Sequence, residues 1–324
     1  MKLLSNMRLC NDVTWLSLAT TCRKSNVSEI VSISRNLQIA YNNYDSFIVN
    51  HDIRLPNSIF KDNDHFGPER KLLISYYESS PAKLSLKFKD RRENNGLYDC
   101  PYCGIPLVPD TLDHFIPKDL HPEFAIFPDN LVPQCRYCAP IKSAKYFSNT
   151  NSTCKFIHPF FFDLISNLKF KISCEVIDNI EVKYNVSFTT PENTQDIDIK
   201  RIIVHIKSLD IKNRIMIFCK KRDGEIHRMT RSINIKAYFE AKLQALKDES
   251  GYSIVDSNNG YDNWGISFYK SILNTPEVLS YYQRNNDSKK IRVMWLIILI
   301  IRIWEYNLVR YLTNGIDRKY YFYK

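Results

Sequence analysis

Residues 98–147 decide the fold of this chain, and they read YDCPYCGIPLVPDTLDHFIPKDLHPEFAIFPDNLVPQCRYCAPIKSAKYF. A Cys-x-x-Cys pair stands near each end, Cys100 with Cys103 and Cys135 with Cys138, and 31 residues separate the two pairs. Each pair can bind a metal ion from one tight turn, and four thiolates together form the closed tetrahedral set of structural zinc sites. The sequence therefore predicts one zinc ion held by these four cysteines.

The residues between and just after the two pairs suit the hydrolysis of a phosphodiester bond. Asp113 and His114 are adjacent, Asn130 begins a short apolar run, and Lys142 comes four residues after the last cysteine. A neutral imidazole can accept a proton from water near neutral pH, and a carboxylate binds hard divalent ions such as Mg²⁺. Because neighbouring residues of a strand face opposite sides, Asp113 and His114 cannot both be core residues.

The order of these residues resembles the HNH endonuclease family, the ββα-metal or treble-clef nucleases. The matching segments are CPYCG, LDHFIPK, DNLVPQC and a CxxC pair followed by lysine, and residues 156–160 (FIHPF) resemble a downstream segment of bacterial members. Two CxxC pairs alone occur in many zinc ribbons, whereas two pairs that enclose DH and N at these spacings are specific. The alternative is a zinc ribbon in which the Asp-His pair is fortuitous.

The resemblance implies an enzyme that hydrolyses DNA with a divalent metal, Mg²⁺ or Mn²⁺. His114 would be the general base, Asp113 a metal ligand, and Asn130 the residue that holds the loop of the base through its backbone. Three basic side chains are candidates for contacts with DNA phosphates: Lys118, Arg136 and Lys142. A solvated surface position is an equally good interpretation of each of them.

The chain departs from the family pattern at one position. Members usually have Asn or His directly after the second CxxC pair, then two residues, then Lys, whereas this chain has Ala139-Pro140-Ile141-Lys142. Ala139 takes the place of the second ligand of the catalytic metal, and a methyl group cannot coordinate a metal. We therefore expect the chain as written to be nearly inactive. Retention of the other motif residues favours a deliberate substitution over natural weakening.

The longer members with CPYC, LDHFIPK and HPF segments resemble effectors of bacterial anti-phage defence, in particular Septu-type systems. In those systems a nuclease works beside an ATPase, so the resemblance implies DNA and an ATPase or other defence-system subunit as partners. The competing hypothesis comes from another class of protein. It is a non-catalytic zinc module that binds nucleic acid or a partner protein, and Ala139 is its best support.

Composition and charge indicate a folded protein with a polyanionic partner. The chain has 324 residues, 44% of them hydrophobic, and a net charge of +10. A basic balance favours a polyanion without naming one. Residues 98–147 carry six acidic and four basic side chains, so the positive charge lies in the flanks, at five bases between residues 83 and 92 and from residue 284 onward. These flanks are the expected path of DNA phosphates.

Cysteine usage and the N-terminal sequence predict a reduced, cytoplasmic protein without a membrane partner. Nine cysteines include the four of the CxxC pairs, and a chain of this length does not need a disulfide scaffold. The residues after Met1 do not form a secretory signal. The apolar run at residues 293–301 (VMWLIILII) is too short to span a bilayer, so a buried helix is expected there.

The patterns together predict an α+β fold, mainly helical, in three regions. These are a helical N-terminal region (1–97), a ββα-metal HNH core with its zinc site (98–155) and a mixed α/β C-terminal region of unassigned role (156–324). Helices are predicted over residues 69–78, 81–93, 138–147, 196–206, 211–221, 232–247, 264–273, 275–282 and 291–313. Strands are predicted over residues 112–116, 130–135, 168–172 and 180–186, with a turn at 178–179.

Overall fold

The computed structural model describes residues 1–9, 14–62, 65–229, 233–250 and 263–317. Over these residues the chain is a mixed α/β protein, about half helical, with small antiparallel sheets of two strands each. This agrees with the predicted class at that coarser level. None of the helices described is both long and apolar enough to cross a membrane.

The N-terminal region is helical, as its polar sequence with periodic apolar positions predicts. Its elements are α1 (Thr14–Thr20), α2 (Val27–Val49), the short hairpin β1 (Lys61–Asp62) with β2 (His65–Phe66), α3 (Pro68–Glu78) and α4 (Ala82–Glu93). The predictions for residues 69–78 and 81–93 are confirmed to within one residue. Pro68 occupies the first turn of its helix, where a missing N–H removes no hydrogen bond.

The central region is built on a two-stranded hairpin. Strand β3 (Thr111–His114) pairs antiparallel with β4 (Leu131–Gln134), so that Asp113 lies opposite Val132 and His114 opposite Leu131. The connection between the strands contains two 3₁₀ turns, Pro122–Phe124 and Pro128–Asn130. Both strands were predicted, and each is shorter than expected.

One short helix, α5 (Ala139–Lys142), follows the second cysteine pair. The prediction that this helix continues to residue 147 is wrong. Ser143 has φ 44°, a left-handed conformation that ends a right-handed helix. The chain then forms a second hairpin, β5 (Phe147–Ser148) with β6 (Thr153–Cys154).

The C-terminal region combines one long hairpin with helices. Strands β7 (Lys169–Ile177) and β8 (Glu181–Thr189) meet at Asp178 and Asn179, whose φ angles of 51° and 55° suit a tight hairpin turn. This hairpin and its turn were predicted. The helices around it are α6 (Leu164–Asn167), α7 (Asp196–Ser208), α8 (Ile211–His227), α9 (Ile235–Ser250) and α10 (Trp264–Leu273). Residue 232, where the predicted helix 232–247 begins, lies outside the described residues.

The last helix, α11 (Pro276–Asp317), differs from prediction in two ways. Residues 275–282 and 291–313 were expected as separate helices and form one continuous helix. Its first turns pack in the core through Val278, Tyr281 and Tyr282, but the later apolar run is not buried as predicted. Periodicity predicts an apolar helix without naming what covers it. The exposed side chains are Trp295, Ile297, Ile298, Leu299, Ile300, Ile301, Ile303 and Trp304.

A single hydrophobic core draws side chains from all three predicted regions. It includes Leu16 and Tyr44 from the N-terminal helices, Phe115 from the central region, and Phe170 and Phe268 from the C-terminal region. The central hairpin and the cysteine pairs are therefore enclosed by the rest of the chain.

Candidate zinc site and the Asp-His hairpin

The four cysteines of the two CxxC pairs meet in the interior. Their side chains are buried, and their sulfur atoms all lie within 4.8 Å of one another. The sulfurs of Cys100 and Cys138 are 3.9 Å apart, as are those of Cys103 and Cys135. A tetrahedral zinc ion with Zn–S bonds of about 2.3 Å needs sulfurs about 3.8 Å apart. The cluster therefore has the donor set of a structural zinc site and close to its size.

Tight turns in the backbone bring the sulfurs of each pair to one side. The Gly104 amide donates to the Cys100 carbonyl at 2.8 Å, and Gly104 has φ 71°, which favours glycine. In the second pair, the Cys138 amide donates to the Cys135 carbonyl at 2.9 Å. The Cys135 amide also points at the sulfur of Cys100, at 3.5 Å, so the two turns are joined by a backbone-to-sulfur hydrogen bond.

Arg214, from α8, packs directly against the cysteine cluster. Its Nη1 donates to the sulfur of Cys138 and its Nη2 to that of Cys103, each at 3.4 Å. Although burial opposes it, the Cys103 and Cys138 thiolates raise the pKa of Arg214. Zn²⁺ with four thiolates carries two net negative charges, so a guanidinium here stabilises the loaded site. Arg214 could not be predicted as part of the site, because nothing in its local sequence connects it with distant cysteines.

Trp264 packs against Arg214 and is itself bonded to the first cysteine turn. The Arg214 guanidinium lies 5.8 Å from the centre of the Trp264 ring, and Trp264 Nε1 donates to the Cys103 carbonyl at 2.9 Å. Close by, Asn263 Nδ2 donates to Asp99 Oδ1 at 2.9 Å. The C-terminal helices are therefore bonded to the first cysteine turn itself.

Asp113 lies in the interior beside a lysine. Its Oδ2 accepts a hydrogen bond from the Tyr102 hydroxyl at 2.8 Å and lies 3.0 Å from Lys142 Nζ. The same ammonium donates to the carbonyls of His114 and Phe115, each at 3.0 Å, and the Lys142 side chain is 0% exposed. Burial raises the pKa of the Asp113 carboxyl, against the opposing effect of the Lys142 ammonium. Lys142, predicted as a phosphate contact, is instead the internal counter-ion of Asp113.

The divalent metal implied at Asp113 does not fit this arrangement. Mg²⁺ binds a carboxylate oxygen directly and keeps several waters around itself, whereas Oδ2 of Asp113 already faces an ammonium and a hydroxyl. Ala139 precedes Lys142 by one turn of α5, on the same face, and offers no ligand atom. The zinc site and the expected catalytic-metal site therefore differ: the residues present fit the first ion and not the second.

His114 is placed as a neutral imidazole. Its Nε2 lies 2.9 Å from the Ala125 carbonyl, which only accepts, so Nε2 carries the proton and Nδ1 does not. The Tyr77 ring packs against the imidazole edge to face, with ring centres 4.3 Å apart. Removal of the ring from solvent lowers the pKa of His114 to about 3. Near neutral pH the ring is therefore uncharged and Nδ1 can accept a proton, although a pKa this far below neutral makes it a weak base.

Asn130 ties the loop after His114 to the start of β4. Its side-chain oxygen accepts from the Ile116 amide at 2.7 Å and from the Tyr44 hydroxyl at 2.9 Å. Its side-chain nitrogen donates to the carbonyls of Ile116 and Phe124, at 3.0 and 3.1 Å. The side chain is fully buried and makes the loop-holding contacts that the resemblance implied.

The other predicted phosphate contacts lie in surface ion pairs. Lys118 Nζ is 2.9 Å from Glu78 Oε1, and Arg136, whose side chain is 64% exposed, pairs with Asp110. A surface pair stabilises by roughly 0–1 kcal/mol, so such a base can exchange its partner for a phosphate. Among the described residues, neither side chain forms a hydrogen bond or an ion pair with the four cysteines.

Arg91, one of the flanking bases expected along the DNA path, is buried instead. Its guanidinium donates to the carbonyls of Pro128, Leu131 and Met7, the last at 2.7 Å. The expectation for this residue is wrong because a helix with a basic sequence still turns one side toward the core. His158 is buried in the core, and its Nδ1 accepts from the Phe160 amide at 3.1 Å.

Protein ea31 of Escherichia phage lambda is similar to this chain. The two are 24% identical over 185 residues, which cover 55% of this chain and 62% of that protein. The chain thus spans less than two thirds of the length of the relative it matches. No protein-family model and no solved structure match the chain.

Proposed function

We propose that this chain is an HNH-type endonuclease that acts on DNA and whose hydrolytic activity is suppressed in the sequence as it stands. The observation that carries the proposal is the geometry of His114. A neutral imidazole stands at the end of the β3–β4 hairpin, with Nε2 bonded to Ala125 and Nδ1 unprotonated. The hairpin lies between two cysteine pairs that can hold zinc, and Asn130 holds the loop that follows it.

His114 would act on the water that attacks a phosphodiester. Nδ1 accepts the proton of that water, and the bond from Nε2 to the Ala125 carbonyl fixes the tautomer in which Nδ1 can do so. Asn130 keeps the loop in place through both the amide and the carbonyl of Ile116. The bound divalent metal of HNH nucleases neutralises charge on the phosphate, and we assign no step to it here because the Asp113 carboxylate already faces Lys142.

The test replaces Ala139. Ala139→Asn supplies an amide oxygen on the face of α5 that Lys142 shares, and should increase nicking of supercoiled plasmid in Mg²⁺ or Mn²⁺ by about 100-fold or more. Adding His114→Ala to that variant should abolish the nicking while zinc content and folding stay unchanged. Equal rates with Ala139 and with Asn at this position would contradict the assignment.

The resemblance extends the proposal to anti-phage defence in the cytoplasm beside an ATPase. Its support is the sequence resemblance alone, and the same variants test it. Expressed with its neighbouring genes, the Ala139→Asn chain should reduce plaque numbers, and the double variant with His114→Ala should not. Equal plaque numbers for the two variants would contradict the defence role. The nuclease proposal would then be decided by the plasmid assay alone.

A non-catalytic zinc module is the second candidate, and a specific observation favours it. The Asp113 carboxylate, which a catalytic metal would use, is already neutralised by Lys142 in a buried ion pair. Ala139, at the position of the second metal ligand, has no atom that can coordinate a metal. On this hypothesis Ala139→Asn would bind DNA or a partner as before and would still not cut. The plasmid assay therefore separates the two candidates.

A further inference from the structure

A cleft of about 370 Å³ lies beside the central region, and its charged rim is basic. One wall is the segment before β1 and the β1–β2 hairpin, and the other comes from the chain that follows His114 and the chain that follows Lys142. None of the described residues that line the cleft is acidic. Its four cationic side chains are Arg54, Lys61, Lys145 and Lys155.

The cations of this cleft differ from the bases that the motif suggested. Arg54, Lys145 and Lys155 form no ion pair with a residue that the structure describes, whereas Lys118 and Arg136 are paired with carboxylates. Three like charges facing one concave surface repel one another, and low-dielectric walls strengthen their combined field. Such a group is stabilised by an anion with several charged groups along its length.

The position of the cleft along the chain relates it to His114. Pro117, which lines the cleft, follows His114 by three residues, so their Cα atoms are at most about 11 Å apart. Successive base pairs of DNA rise by about 3.4 Å along each strand. One wall of the cleft is therefore within about three nucleotide steps of the His114 backbone. Lys145 lies equally close in sequence to Lys142, which is bonded to the His114 carbonyl at 3.0 Å.

We infer that this cleft binds the phosphodiester backbone of DNA, through Arg54, Lys145 and Lys155. The inference rests on the proposed function in taking DNA as the polyanion. It places the phosphate contacts in residues outside the motif, in contrast to the expected contacts Lys118, Arg136 and Lys142. The backbone contacts position the strand, and they carry no information on base sequence.

The test measures how the binding of a fluorescein-labelled DNA duplex depends on salt, by anisotropy, without divalent metal. Each phosphate contact contributes about 0.9 to the slope of log affinity against log salt concentration. The double variant Lys145→Ala with Lys155→Ala should therefore lower the slope by about 2. The matched control is Lys220→Ala with Lys221→Ala on α8, which removes the same two charges from exposed positions outside the expected DNA path and should leave the slope unchanged.

The outcomes separate this inference from the proposed function. A slope that falls only in the cleft variant supports the cleft as the DNA site. A slope unchanged in the cleft variant, or lowered equally in both variants, overturns the cleft while DNA binding by the unaltered chain stands. Absence of salt-dependent binding by the unaltered chain overturns the proposed DNA substrate, and the cleft assignment with it. Thermal unfolding of all variants shows whether a decrease in the salt-dependence slope is caused by unfolding of the variant.

Discussion

At the scale of single residues, Arg214 determines how well the cysteine cluster can carry its charge. The guanidinium bonds two of the four sulfurs at 3.4 Å and lies over Trp264. We expect Arg214→Ala to lower zinc affinity by about 10- to 100-fold, the usual effect of removing a residue that hydrogen-bonds metal ligands. Competition with a chromogenic zinc chelator, read as zinc released against chelator concentration, gives the affinity directly.

Arg214→Lys is the control for this prediction. An ammonium keeps the positive charge and cannot donate to two sulfurs in a fixed fork, so its zinc affinity should lie between those of the native and alanine chains. If Arg214→Ala releases zinc no more readily than the native chain, the guanidinium serves packing alone.

Single residues also show which part of the site a sequence can reveal. The cysteine spacing and the Asp-His-Asn order identified side chains that lie on one short hairpin or directly beside it in sequence. The partners of those side chains come from elsewhere: Arg214 reaches the sulfurs from a distant helix, and Lys142 turns inward to Asp113. Such contacts depend on packing between elements, which local spacing does not encode.

At the scale of elements, α5 is a single turn whose end is fixed by one residue. Ser143 has φ 44° and ψ −139°, a conformation that glycine adopts without strain and other residues do not. Ser143→Gly should therefore raise the free energy of unfolding by about 1 kcal/mol, as measured by urea denaturation, and Ser143→Val should lower it. If Ser143→Gly lowers the free energy of unfolding, the Ser143 side chain stabilises the fold by more than its backbone strain destabilises it.

Other elements show where sequence patterns reach their limit. The β7–β8 hairpin was predictable because alternating residues and an Asp-Asn turn act over a few positions. The end of α5 was not, because a serine in a left-handed conformation has no distinctive sequence pattern. The two predicted helices at 275–282 and 291–313 are one helix for a similar reason: residues 283–290 contain no glycine or proline to interrupt it, and their Gln, Arg and Lys residues are good helix formers.

At the scale of the whole molecule, three histidines are held neutral in the shared core. Burial lowers the pKa of His51 and of His205 to about 4, and that of His158 well below its usual value. The unfolded chain protonates these side chains near pH 6.5 and the folded chain does not. The unfolded state therefore binds more protons between about pH 6.5 and 4, and the free energy of unfolding should fall as pH falls through that range.

Each of these histidines contributes up to about 1.4 kcal/mol per pH unit to the loss. His51→Gln tests the contribution of one histidine to this pH dependence. The hydrogen bonds of His51 go to Thr153 and the Phe156 carbonyl and not to the zinc-site cysteines. Urea denaturation at pH 7, 6 and 5 with excess zinc should give a smaller pH dependence for the variant. The same pH dependence in both chains would show that His51 is protonated in the folded protein.

The contact between Arg214 and the cysteines has a consequence for the chain during its synthesis. Cys138 is made 76 residues before Arg214 and 126 residues before Trp264. At roughly 5–20 residues per second, the ribosome completes the four thiols about 4–15 s before the arginine that neutralises them. Zinc supplied within that interval lets α8 and α10 assemble on a charged cluster. In a cell short of zinc, the newly made helices would instead meet a cluster without its ion, and metal starvation would first become visible as misassembly of the C-terminal helices.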